Sequence, residues 1–137
     1  MATFVLYDAY VTVAGVDLSD HVKSVTVDAG QNMVDDTAMG DAFVSNAAGL
    51  ATWSISVEFL QDYALSKVDA TLEPLLGIGT TAALVVRPTS GDVSNTNPDY
   101  HGTGILESYN PVGGAVGDQA MASATFQSAS VLTRSTS

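Results

Sequence analysis

The chain has 137 residues, with four Lys and Arg against fifteen Asp and Glu, a formal charge of −11, and no cysteine. This length suits one domain with its own core, which we expect to span residues 1–137. The lack of cysteine excludes disulfides, thiolate metal sites and thiol nucleophiles. The acidic balance argues against a protein that grips nucleic-acid phosphates, because such proteins need clustered Lys and Arg.

The amino-terminal segment and the hydropathy indicate where the chain is made. Met1–Tyr10 has no basic segment before its apolar run and contains Asp8, unlike a secretory signal peptide. No stretch approaches the ~18 apolar residues needed to cross a bilayer. We therefore expect synthesis in a cytoplasm and no membrane partner.

Alternation of apolar and polar residues predicts about six strands. The clearest strand places Trp53, Ile55, Val57 and Phe59 on one face, and Glu58 with its Ser and Thr neighbours on the other. The remaining candidate strands are Val5–Val13, His21–Asp28, Ala82–Arg87, Gly102–Tyr109 and Ala120–Phe126. The fold class is therefore mainly β.

One helix is predicted after the clearest strand. Asp62 can cap it, and Leu65, Val68 and Leu72 share one face at helical spacing. Pro74 should end or kink this helix, because proline clashes with the preceding turn.

Residues 30–48 have no clean period and hold Asp35, Asp36 and Asp41. We predict either a long loop or an extended hairpin. A structureless loop of ~20 residues is unusual in a small domain and is most often functional or disordered until bound.

The chemistry-bearing residues do not form a recognisable catalytic or metal motif. His21 and His101 are eighty positions apart, outside any metal-ligand spacing. Asp35 and Asp41 could form a carboxylate pair for a hydrolase, but no partner groups accompany them. Residues 92–99 are rich in side-chain oxygens but lack the Gly and closing Glu of a calcium loop. We predict no catalytic residue, no cofactor and no metal ion.

Two classes of binding protein fit a chain without an active site. An open sheet leaves edge strands unpaired, and these could pair with other copies in a closed ring. The alternative is a monomeric β-sandwich module that binds a small ligand or carbohydrate through the loop at residues 89–100. The expected burial of Trp53, the only tryptophan, argues against a carbohydrate site.

A series of short segments, spaced along nearly the whole chain, carries a family resemblance. They are Gly15-Val16-Asp17-Leu18-Ser19-Asp20-His21-Val22-Lys23-Ser24-Val25, Asp35–Asp41, Gly49–Ile55, Asp69–Leu72, Arg87-Pro88, Asn97–Tyr100 and Gly117-Asp118. In this order and spacing the chain resembles the major tail tube proteins of long-tailed, siphovirus-type bacteriophages.

The resemblance implies a β-sandwich or partly open barrel of about six or more strands with one flanking helix. It implies hexameric rings that stack into a tail tube and conduct DNA without binding it specifically. The loop at about 30–48 would reach a neighbouring subunit or ring and become ordered on assembly, through Asp35, Asp36, Thr37, Ala38, Met39, Gly40 and Asp41. The implied partners are further copies and the tape measure, terminator and tip proteins, and the implied location is the virion tail.

The charge agrees with such a conduit for a physical reason. Six copies at −11 each would carry −66, and an acidic wall keeps a polyanion hydrated and off its surface. Glu58, on the polar face opposite Trp53 and Phe59, is the first candidate for a residue that faces the lumen.

Overall fold

The structure, a computed structural model, describes residues 8–77 and 80–136, and its strands belong to a single antiparallel sheet. The predicted positions Val5 to Tyr7 lie outside the described residues. The strands are β1 (Tyr10–Val13), β2 (Val16–Asp17), β3 (Val22–Asp35), β4 (Asn46–Leu60), β5 (Ala82–Arg87), β6 (Asp99–Asn110), β7 (Met121–Ser128) and β8 (Thr133–Ser135). The predicted mainly β fold is confirmed.

The sheet curls so that its ends approach each other. Its strand order is β2-β1-β5-β6-β7-β4-β3, with β8 also paired to β6. Val11 and Val13 of β1 share one core with Ile55 and Phe59 of β4, although these strands lie four places apart in that order. Because only one face of the sheet is buried in this core, the strands enclose it as a partly open barrel.

The core is built by the alternation that the sequence displays. The four apolar positions of β4 from Trp53 to Phe59 are all buried, and Phe126 of β7 is fully buried beside them. Burying one such side chain contributes about 1.5–3 kcal/mol to the free energy of folding. A shift of one residue between strands would expose the whole buried row, so burial fixes the register of the central strands.

One short helix, α1 (Val68–Leu72), packs on this core and continues as a 3₁₀ turn, Glu73–Leu75. Val68 and Leu72 are fully buried in the core. The hydroxyl of Tyr109 on β6 donates a hydrogen bond to the Asp69 carboxylate at 2.9 Å, which attaches the helix to the sheet. No helix in the two described stretches is long and apolar enough to span a membrane.

The helix begins later than predicted, and its α-helical part ends just before Pro74. Asp62 caps a turn instead, since its carboxylate accepts the Ala64 backbone N–H at 2.9 Å. Ser66 has a φ of +62°, which no α-helix contains, and Leu65 is 90% exposed. The prediction that Leu65 lies on the buried helix face is therefore wrong. The prediction that Pro74 ends or kinks the helix is confirmed, since the α-helix ends at Leu72 and the chain continues through Pro74 only as a 3₁₀ turn.

Of the two alternatives for residues 30–48, the structure contains the extended hairpin. β3 continues to Asp35 and β4 begins at Asn46, so the connecting loop comprises residues 36–45. The two strands pair from Val22↔Phe59 to Asp35↔Asn46, with irregularities near Lys23 and Asn32. Cross-strand hydrogen bonding holds this segment, without the alternation that a buried face would impose.

Candidate functional site: a projecting hairpin and a polar sheet face

The outer half of the β3–β4 hairpin projects from the rest of the sheet. β7 pairs with β4 only from Ser54 to Leu60, so the earlier part of β4 has β3 as its sole neighbour in the described sheet. Every residue from 29 to 52 is exposed. We call residues 29–52 the arm.

The arm carries a concentration of exposed apolar side chains. Of the thirteen large hydrophobic residues exposed in the described parts of the chain, six lie on its 24 residues: Met33, Val34, Met39, Phe43, Val44 and Leu50. An isolated two-stranded ribbon is marginally stable in water, and exposed apolar clusters mark interaction sites. The arm therefore has the character of an interface.

The arm tip is ordered by its own hydrogen bonds. The Thr37 hydroxyl accepts the Ser45 backbone N–H at 2.7 Å, and the Thr37 N–H donates to the Asp35 carboxylate at 2.8 Å. Asp41 accepts the Ala38 N–H at 2.7 Å, across a turn in which Gly40 adopts a φ of +96°. Hydrogen bonds from the Thr37 side chain and backbone lower the pKa of Asp35.

The structure brings Asp35, Asp36, Thr37, Ala38, Met39, Gly40 and Asp41 together at this tip. The hydrogen bonds of Asp35 and Asp41 to backbone N–H groups give these carboxylates a turn-forming role on an exposed ribbon. Sequence reasoning missed Phe43 and Val44, which are 86% and 72% exposed. The available signal was the presence of large apolar residues in a segment without a period.

β3 also forms one end of the sheet. The backbone groups along its outer edge therefore have no strand partner within the described residues. Proteins usually protect such a long edge, because it readily accepts another strand.

A polar face lies on the side of the β3–β4–β7 strands opposite the core. Three cross-strand rows build it: Ser24, Glu58 and Ser123; Thr26, Ser56 and Thr125; Asp28, Ser54 and Gln127. Six of these nine side chains carry hydroxyls, two are carboxylates and none is basic. We call these nine residues the polar face. Glu58 is exposed within it, and the Ser24 hydroxyl donates to its carboxylate at 3.4 Å.

Side-chain hydrogen bonds of Asn97 hold together the loop at residues 89–100, which precedes and enters β6. The side-chain carbonyl oxygen of Asn97 accepts the Thr89 N–H at 3.1 Å, and its amide donates to the carbonyls of Gly91 and Asp92 at 3.0 and 3.1 Å. Asn97 is buried, and its side chain forms its hydrogen bonds with backbone groups of the loop. It therefore has a structural role in the loop that the sequence analysis considered for ligand binding.

His21 lies between two carboxylates. Its Nδ1 is 2.7 Å from Asp20 and its Nε2 is 2.9 Å from Asp62. The pKa of Asp62 is lowered by the Ala64 N–H and then by His21, and the pKa of Asp20 is lowered chiefly by its bond to His21. This cluster connects the turn before β3 to the turn before α1. No group of three or more potential metal ligands occurs in the described residues.

A family model described as "Phage tail tube protein" matches residues 12–99, which includes β3, the arm, β4, α1 and β5. The chain belongs to the phage tail tube protein family. It is a structural virion component, and the resemblance noted in its sequence is confirmed. No curated protein matches the chain by sequence.

Solved structures share the fold at low identity. A chain in the virion of a native gene transfer agent particle has a TM-score of 0.74 and 16% identity, covering 93% of this chain and 95% of that one. A chain in the tail of an empty gene transfer agent particle, refined with C6 symmetry, has a TM-score of 0.68 and 18% identity, covering 82% and 81%. A chain of the SPP1 tail tube has a TM-score of 0.73 and 12% identity, covering 95% and 77%.

Proposed function

We propose that this chain assembles into hexameric rings that stack as a phage tail tube, whose lumen conducts DNA during ejection. The arm is the observation that carries this proposal. A ribbon of 24 exposed residues with six large apolar side chains gains most by being covered in an assembly. The C6 symmetry of the gene transfer agent tail, which shares the fold, supports six copies per ring.

The free edge of β3 supplies a means of ring closure. A strand edge that pairs with a different edge of the next copy makes a head-to-tail contact, and such contacts form a ring when the rotation closes. Closure gives every edge a partner, which removes the tendency of open edges to aggregate.

The polar face suits the wall of a DNA conduit. Its only charged residues are Asp28 and Glu58, both acidic, so it offers phosphates no cation to grip. Its hydroxyls present a neutral, hydrated surface, and the carboxylates repel the polyanion over a screening length of ~8 Å. Glu58 is our candidate for the lumen-facing acid.

The arm tip, residues Asp35 to Asp41, is the proposed contact to a neighbouring subunit or ring. Its turn is already closed by Thr37, Ser45 and Asp41, so docking would cost less conformational entropy than folding a disordered loop. The neighbouring apolar residues Phe43 and Val44 would supply buried area.

The remaining parts of the proposal concern where the protein is made, where it acts and which proteins it contacts. The protein would be made and assembled in the host cytoplasm, would act in the virion tail without enzymatic activity, and would contact the tape measure, terminator and tip proteins. DNA would pass through the tube without specific binding.

Size-exclusion chromatography and negative-stain microscopy of the purified chain over a concentration series test the proposal. We expect hexameric rings or tubes of uniform diameter. A monomer at every concentration would refute assembly, and ligand-induced changes in that monomer would favour the alternative of a monomeric β-sandwich binding module.

A further inference from the structure

An apolar groove lies where the two ends of the curled sheet approach. It has a volume of about 270 Å³ and lies between β3 and the end of β5, which are four places apart in the sheet. Its lining is formed largely by Val25, Val27, Val86, Arg87, Pro88 and Tyr100. Val25 and Val27 are only partly buried against the core, so the groove exposes core-type side chains.

Arg87 gives this groove a positive charge. Its guanidinium stacks on the Tyr10 ring at 3.9 Å, and its Nη1 donates to the Gly91 carbonyl at 3.1 Å. Its Nε is buried without a hydrogen-bond partner. In the described parts of the chain, the ion pairs within 4.0 Å all involve histidine, so Arg87 has no carboxylate partner despite the excess of acids.

The arm tip has the complementary chemistry. Met39 and Phe43 are almost fully exposed, and Asp36 and Asp41 lie beside them. Residues 24–66 contain no Lys, Arg or His, so the only charged side chains of the arm are Asp35, Asp36 and Asp41. The tip could therefore fill an apolar groove and offer a carboxylate to a guanidinium that has no carboxylate partner among the described residues.

The tip cannot reach the groove of its own chain. Val27 lines the groove at the base of the arm, and the strand from Asp28 to Asp35 then extends for seven residue steps, about 24 Å, away from it. Any tip that occupies this groove must belong to another copy.

We propose that the arm tip of one copy docks in the Val27–Arg87 groove of a second copy, with its apolar residues against the valines and an aspartate facing Arg87. This proposal rests on the proposed tube assembly and names the two surfaces that join. The contact is head-to-tail, since tip and groove are different surfaces, so it can propagate along a stack of rings.

The natural absence of cysteine allows a direct test by cross-linking. Val44→Cys places a thiol near the tip and Val27→Cys places one in the groove, and a mixture of the two variants is allowed to assemble and treated with a short bifunctional thiol reagent. Val116→Cys, on an exposed turn, is the matched control for the tip. Val131→Cys reports a different groove at the base of the arm.

We expect a covalent dimer from the 44 and 27 mixture at a yield at least tenfold above that of the 116 and 27 mixture. Tubes that form without this dimer, or that link position 44 to position 131, would overturn the docking site while leaving the proposed function intact. In a double variant with Phe4→Cys and Val27→Cys, a cross-link within one monomer would show that the chain's own first residues fill the groove. That result would also overturn the proposed docking site. Failure to form tubes would remove both proposals.

Discussion

Trp53 shows how individual residues set the close packing of this sheet. Its indole Nε1–H donates to the Ser130 carbonyl at 2.6 Å, and its ring covers Gly102 on β6. A Cβ built on Gly102 would lie 2.8 Å from the Trp53 ring and 3.1 Å from the Val131 carbonyl. In the sequence this glycine is only the first residue of the predicted strand Gly102–Tyr109, whereas in the structure it is the place where the Trp53 ring approaches the backbone.

Replacing Gly102 with Ala should therefore lower the free energy of unfolding by about 1–3 kcal/mol, the usual cost of overpacking. Gly30→Ala is the matched control, because nothing lies within 4 Å of a Cβ at that strand position. Urea denaturation of both variants measures the difference. Equal stability of the two variants would show that the contact with Trp53 is relaxed in solution.

The cluster around His21 predicts a dependence of stability on pH. The Ala64 N–H and His21 lower the pKa of Asp62 below its ordinary value of 3.8, so the ionised form is favoured by folding. The resulting stability is fully present above pH 3.8 and is lost as the pH falls through the lowered pKa. The wild-type protein should be more stable than Asp62→Asn at pH 7, and this advantage should shrink on acidification towards pH 3.

Urea denaturation at both pH values measures that advantage. Asp118→Asn, on the exposed turn between β6 and β7, is the control. An advantage over Asp62→Asn that stays constant between pH 7 and pH 3 would contradict the role assigned to the ionised Asp62.

At the scale of elements, the sequence predicts best the strands that bury one face. β4 shows the predicted alternation from Trp53 to Phe59, and β5 has the predicted bounds Ala82–Arg87. Burial of one face imposes a period of two residues, which the sequence displays. β2 and β8 were missed, since strands of two and three residues are too short to display a period.

The arm and the start of the helix depend on interactions that the spacing of apolar residues in the sequence does not reveal. The arm is paired along its length but buries neither face, so its residues are free of alternation. Leu65 has helical spacing, yet Asp62 and the left-handed Ser66 hold a turn at this point. The same reasoning located the tip carboxylates but missed Phe43 and Val44, because large apolar residues without a period do not by themselves show whether they are buried or lie on a projecting ribbon.

Deleting residues 33–45 should leave a folded monomer that cannot polymerise. The deletion removes the exposed tip and leaves Asn46–Leu50 to close the hairpin, while every buried core residue remains. Thermal unfolding and negative-stain microscopy would give an almost unchanged midpoint and no tubes. Normal tubes from this variant would contradict the assembly role of the arm.

At the scale of the whole molecule, the exposed apolar side chains of the arm and the hydroxyls of the polar face lie on different parts of the surface. The arm presents apolar and acidic side chains away from the barrel, whereas the polar face presents hydroxyls and two carboxylates. With a charge of −11, copies repel one another, so assembly must come from apolar burial and strand pairing and should be strengthened by salt that screens this repulsion.

Cryo-electron microscopy of the assembled protein tests the central claim most directly. Our account predicts six copies per ring, arms that contact neighbouring copies, β3 edges that are paired, and Glu58 directed into the lumen. A reconstruction in which the arms extend freely into solvent and the polar face lies on the outside of the tube would contradict it.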